Sequence, residues 1–155
     1  MPWWGWLLLV LATPFLVCLA WLAWALCLLA AVWIAWVPRG RHALIVYSAS
    51  PIWQGYCEAT LLPAVGSRAA VLNWSDRRRW RRWSLPVLLF STFAGSYEFN
   101  PIAIVFRRWR WPERYRFYRP FGAFKHGRPE EVERLVGKLV ADLDALSPRR
   151  GRTNA

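Results

Sequence analysis

No charged side chain occurs in the first 37 residues of this 155-residue chain. Met1 to Val37 holds Leu, Ala, Val, Trp and a few small or weakly polar residues. Charge then arrives together, in Pro38-Arg39-Gly40-Arg41-His42. About 18 consecutive apolar residues already suffice for a membrane span. A soluble helix this apolar on every side would need a large domain wrapped around it. The marks of a cleaved signal peptide are also missing. Nothing basic precedes the run, and it outlasts the usual apolar core of about 7–15 residues. Residues 1–37 therefore read as a bilayer anchor.

Other absences narrow the chemistry. Cys18, Cys27 and Cys57 form no Cys-x-x-Cys, and His42 and His126 have no neighbouring ligand pattern. The spacing of a zinc site or a dithiol site is not there, so no metal and no cofactor is predicted. No glycine-rich phosphate loop follows the first predicted strand. Lysine is scarce too: of 21 basic residues, only Lys125 and Lys138 are lysines. A GC-rich coding bias accounts for Arg over Lys, but not for the net charge of +12.

As one straight helix, Trp6 to Val37 would be roughly 48 Å long, against a hydrocarbon layer of about 30 Å. Thr13-Pro14 reads as an N-cap followed by the first helical position. That predicts a span over about residues 14–37, roughly 36 Å long and modestly tilted. Trp33 and Trp36 then lie at one interface, and Trp3-Trp4-Gly5-Trp6 at the other. A longer helix kinked at Pro14 and a tight hairpin are the alternatives. Arginine follows the run and does not precede it, so the positive-inside rule puts residues 38–147 in the cytoplasm, at an inner or plasma membrane.

Those residues are the size of one small domain. His42 to Ser48 is a continuous apolar run ended by Pro51, the pattern of a strand buried on both faces. Residues 52–65 have helical spacing disturbed near Pro63. Ala69 to Trp74 is a second strand. Ser75 or Asp76 caps a helix that carries Arg77 to Trp83 and continues through Leu85 to Phe93, with Pro86 as a kink and Gly95 as the stop. Ile102 to Phe106 and Tyr115 to Tyr118 are the third and fourth strands. Pro129 and Glu130, Glu131 and Glu133 open a last amphipathic helix to Leu146. Residues 148–155 read as a disordered basic tail.

The order β-α-β-α-β-β-α predicts an α/β sandwich. It resembles the thioredoxin-like fold, as does Pro101 just ahead of the third strand. The resemblance covers His42 to Leu146 and implies a cis proline facing the family's active site. It does not extend to the chemistry. Where the family has paired cysteines, this chain reads Ser48-Ala49-Ser50-Pro51-Ile52-Trp53. Dithiol exchange needs an attacking and a resolving thiol, so the resemblance implies a non-redox relative.

Three sets of residues are candidates for function. Arg77, Arg78, Arg79, Trp80, Arg81, Arg82 and Trp83 suit an anionic membrane surface, where each basic residue is worth about 1 kcal/mol. They also suit nucleic-acid phosphate, or a plain solvated face with both indoles packed on the sheet. Arg107, Arg108, Arg110, Arg114, Arg116 and Arg119, with Trp109 and Trp111 between them, suit an anionic ligand or an acidic partner, or serve to protect an edge strand. Ser48, Ser50, Asn73 and Ser75, with Glu98, Asn100 and Pro101, fall where open α/β sheets bind ligands, beyond the carboxyl ends of the strands. They equally suit turns and caps. The expected protein is a membrane-anchored binding module whose first partner is the lipid bilayer. An enzyme using Ser48, Ser50 or Cys57 at the strand ends is the alternative, and a nucleic-acid binder is a third.

Overall fold

The computed structural model describes residues 3–147, so the predicted tail at 148–155 lies outside the described residues. A single long helix, α1 (Trp3–Ala35), leads into a mixed α/β unit. Its elements are β1 (Ala43–Tyr47), α2 (Gln54–Tyr56), α3 (Leu62–Val65), β2 (Ala69–Asn73), α4 (Leu85–Phe93), β3 (Ile102–Val105), β4 (Glu113–Arg116), α5 (Tyr118–Lys125) and α6 (Glu130–Leu146).

The four strands form one sheet in the order β2-β1-β3-β4. β1 is parallel to β2, with Ile45 opposite Val71. It is antiparallel to β3, with Ile45 opposite Ala103. β3 is antiparallel to β4, with Ala103 opposite Tyr115. β1 and β3 are central, and every residue of both is buried. That is why they read as unbroken apolar runs and not as alternating ones.

Alternate residues feed two cores. On one face Ala43, Ile45, Ala103, Val105 and Tyr115 meet Cys57, Leu61 and Val65, together with Phe121 and the α6 stripe Val132, Val136, Leu139 and Leu143. On the other, Leu44, Val46, Ile102 and Ile104 meet Leu89, Phe90 and Phe93 of α4. The rest of that second face is covered by α1.

α1 departs from expectation at both ends. It does not begin at Pro14 but runs through it, and it makes no hairpin. Its side chains from Val10 to Trp24 are exposed, and burial begins at Ala25. Ala25, Leu28, Val32 and Trp36 are buried at helical spacing, so one face of the last three turns lies on the sheet. The Trp36 ring stands edge-on to Phe106 at 5.9 Å, and Trp24 Nε1 donates to Thr92 Oγ1 at 3.2 Å. By length and composition, the segment Val10–Arg39 is long and apolar enough to cross a membrane. Gly40, at φ 71°, turns the chain out of this segment toward β1.

Two further boundaries differ. The expected helix carrying Arg77 to Trp83 is a 3-10 helix, Trp74–Arg79, followed by an irregular stretch before α4. Trp80 causes the break. Its ring packs edge-on against Trp74 and Phe90, and its Nε1 donates to the Asn73 carbonyl at 3.1 Å. A straight helix would carry that indole away from the sheet. The fourth strand is Glu113–Arg116, and Tyr118 begins α5. Near Pro63 the helix widens into a π turn, Cys57–Leu61. Pro63 has no N–H to return to the preceding turn, and its ring needs the extra room.

Candidate functional site

The antiparallel pairing of β1 and β3 sets the start of β3 beside the end of β1, so Ser48, Ser50, Asn73, Ser75, Glu98, Asn100 and Pro101 fall at one end of the sheet. Several of their polar groups serve the backbone. The Ala49 N–H donates to Ser75 Oγ at 3.0 Å, and the Ser75 N–H donates to Asn73 Oδ1 at 2.9 Å. Trp53 Nε1 donates to Ser48 Oγ at 3.1 Å, and Ser50 Oγ accepts from the Ile52 N–H. The Asn73–Ser75 and Ser50–Ile52 bonds are the local side-chain-to-backbone bonds that turns and caps use, and the Ala49–Ser75 bond ties the ends of β1 and β2 together. Among the described residues, neither Ser48 nor Ser50 is bonded to a histidine or a carboxylate, so neither hydroxyl has a base.

Glu98 sits at φ 47° and accepts from Arg119 Nε at 2.8 Å. Arg116 donates to the Tyr97 carbonyl. The Asn100–Pro101 bond is cis. Asn100 Oδ1 is buried without a hydrogen-bond partner. None of these seven residues lines the cavities described below.

Cys57 is fully buried under the sheet. Burial, and secondarily the charge of Glu58, pushes its thiol up to about 12. A nucleophilic cysteine needs the thiolate, so this environment opposes the role. Among the described residues no three His, Cys, Asp or Glu side chains cluster as a metal site.

The Arg-Trp run divides. Arg77, Arg78, Arg79, Arg81 and Arg82 are exposed. The Arg77 guanidinium lies over the Trp74 ring at 5.2 Å. Trp80 is spent on packing, whereas Trp83 is 83% exposed beside Arg81, Arg82 and Ser84, which line a cavity of about 460 Å³. The two indoles therefore do not share one outward face.

The loop between β3 and β4 is the feature that sequence reasoning underrated. It lies against α1. The Trp33 and Trp109 rings are 5.2 Å apart, and Trp21 and Trp111 are 5.8 Å apart. The Arg108 guanidinium sits over Trp33 and Trp109, at 5.7 and 5.9 Å. Trp109 holds φ 60°, a conformation bulky residues avoid. The loop and α1 enclose a groove of about 450 Å³, lined by Leu26, Leu29, Ala30, Trp33, Trp109, Arg110 and Trp111. The interleaved Arg and Trp were visible in the sequence. That α1 would be their wall was not.

The base of this loop is fixed by charge. Arg107 bridges Asp142 at 2.6 Å and Glu113 at 3.0 Å, and Lys138 meets Glu113 at 2.9 Å. The Tyr115 hydroxyl donates to Asp142. Burial works against ionised Asp142, but Tyr115 and Arg107 hold it below the usual carboxylate range. Lys138 does the same for Glu113. Carboxylates depressed on folding stabilise the protein above their unfolded range near pH 4, and that stability is lost as pH falls through the folded values. Asp142→Asn is therefore expected to cost about 1–2 kcal/mol at pH 7. The gap between variant and parent should close in urea melts as pH falls below about 4. A gap independent of pH would place the effect elsewhere.

No family model matches the chain, and neither a curated protein nor a solved structure matches it.

Proposed function

We propose that the protein is a membrane-anchored, non-redox thioredoxin-like interaction module, held rigidly against the cytoplasmic face of its membrane. The observation that carries this reading is the division of α1 at Ala25. The helix before Ala25, residues 3–24, is about 33 Å long, which matches a hydrocarbon layer of about 30 Å. Its side chains from Val10 to Trp24 are exposed, with Trp21 and Trp24 touching the domain. The span is thus shifted toward the N-terminus from residues 14–37. Residues 25–36 leave the bilayer and become part of the fold.

A cleaved leader is a poor alternative. Its removal would strip Leu28, Val32 and Trp36 from a core they help to close. The thioredoxin-like part of the reading is supported by the strand order β2-β1-β3-β4 and by a cis proline directly ahead of β3. It is supported too by the helix placement: the segments after β1 and β4 pack on one face and α4 on the other. The non-redox part is supported by the missing cysteine pair and the buried Cys57. Exposed Arg78, Arg79, Arg81, Arg82 and Trp83 give the module a basic surface suited to anionic headgroups or an acidic protein partner.

The orientation rests on arginine. An alkaline phosphatase fused after residue 155 is expected to be inactive in bacterial cells, with the fusion retained in membranes after carbonate washing. An active phosphatase would reverse the orientation. Release by carbonate would remove the anchor.

A further inference from the structure

The groove between α1 and the β3–β4 loop is built for an amphiphile. One wall is α1 itself, with Leu26, Leu29 and Trp33, and the other is the pair Trp109 and Trp111. Its volume of about 450 Å³ is that of a small-molecule cleft, which spans about 300–1,000 Å³. Polarity changes along its length. Trp111 meets Trp21 on the side of the free part of α1. Arg110 lines the groove itself, and Arg108 lies at its rim, stacked on the shared rings of Trp33 and Trp109 and facing the adjoining cavity with Val37 and His42.

Among the described residues, neither Arg108 nor Arg110 forms an ion pair, and no carboxylate lines the groove. Trp109 is 83% exposed although apolar surface stands beside it. The groove opens directly off the helix that enters the bilayer, so its walls continue the surface that lipid covers.

We propose that this groove binds one anionic phospholipid drawn from the surrounding bilayer. An acyl chain lies along Leu26, Leu29 and Trp33 between the two indoles. The headgroup phosphate accepts hydrogen bonds from Arg108 and Arg110, as guanidinium favours phosphate through paired donors. The proposal rests on the membrane reading of α1. It adds that the anchor is selective: the loop makes α1 a receptor for negatively charged lipid.

The test uses the full chain purified in a neutral detergent, with phosphatidylglycerol and phosphatidylcholine as probes in native mass spectrometry. Phosphatidylglycerol adducts are expected to survive activation and phosphatidylcholine adducts to be lost. The doubly substituted Arg108→Gln, Arg110→Gln chain should bind phosphatidylglycerol about thirtyfold more weakly, with phosphatidylcholine unchanged, since each arginine near a lipid surface contributes about fivefold. Both arginines are exposed, so the variant should fold, which circular dichroism checks. Leu29→Trp, which fills the groove, should remove the phosphatidylglycerol adducts. A control with Arg128 and Arg134, both exposed and outside the groove, changed to Gln should keep the phosphatidylglycerol adducts.

Equal retention of the two lipids, or an unchanged double variant, would overturn the site. So would loss in the control and not in the double variant. Carbonate extraction of the full chain reports separately on the anchor. A chain that stays in the membrane but shows no lipid preference refutes only the groove, and a chain that washes out refutes the membrane reading itself.

Discussion

Removal of residues 1–37 is expected to unfold the α/β domain, whereas removal of residues 1–20 is expected to leave it folded. The first deletion uncovers the part of one sheet face on which α1 lies. Leu28, Val32 and Trp36 are buried at 5%, 0% and 6% exposure against Leu44, Val46, Ile102, Ile104 and Phe106. Burying each such side chain is worth about 1.5–3 kcal/mol. Losing all three removes about 5–9 kcal/mol, an upper figure because the unfolded chain is partly collapsed. A whole domain holds only about 5–15 kcal/mol. In the second deletion, residues 10–20 are exposed, and none belongs to either core cluster.

Single substitutions separate the two sides of the same helix turn. Trp36→Ala should lower domain stability by about 3–5 kcal/mol. Ile34→Ala, at a position 77% exposed, should change it by less than about 0.5 kcal/mol. Urea melts of the full chain in detergent micelles, followed by near-ultraviolet circular dichroism, would measure both. A cooperative transition from residues 38–155 alone would mean that α1 merely rests on the sheet. A fragment for solution work should therefore begin before Ala25, not at Pro38.

The sheet was legible because its strands are buried in a way that composition records. His42-Ala43-Leu44-Ile45-Val46-Tyr47-Ser48 reads as a strand buried on both faces and Ile102-Ala103-Ile104-Val105-Phe106 as a strand, and both are central. α6 was legible because its apolar stripe faces one core and its acids crowd the first turn. Gly95, at φ 77°, closes α4 where a side chain would be strained.

The docking of α1 was not legible, for a physical reason. Periodicity reveals a buried face only when the other faces are polar. Where lipid or other apolar surroundings cover those faces, Leu28 and Val32 look no different from Leu22 and Leu26. The break at Trp80 was hidden for a related reason. An arginine-rich stretch reads as a solvated helix, and nothing local announces that one of its indoles will be claimed by Trp74 and Phe90. α5 has no side-chain cap to announce it either. At the strand ends, the serines and Asn73 could be named from position alone, but their partners could not. Turn chemistry and ligand chemistry use the same residue types.

The thiol of Cys57 is expected to react about a thousandfold more slowly than an unburied cysteine at pH 8. Its pKa is raised from 9.0 to about 12, chiefly by burial. At pH 8 a pKa of 9.0 leaves about one thiol in ten ionised, and a pKa of about 12 leaves about one in ten thousand. Access adds to the effect, because Cys57 is packed among Leu61, Val65 and Ile45 with no exposed surface. Iodoacetamide kinetics on the chain carrying Cys18→Ser and Cys27→Ser would isolate this one group. The rate should rise about tenfold per pH unit while the fold holds, since the thiolate fraction does. It should jump to that of a free thiol in denaturant. Fast alkylation of the folded chain at pH 8 would show an open, ionised sulfur and would revive the enzymatic reading at the strand ends. If labelling is slow but independent of pH, the reaction passes instead through transient opening of α2 and α3. The measured rate then reports how often that segment leaves the core, and Cys57 serves as a probe of the fold rather than as part of its chemistry.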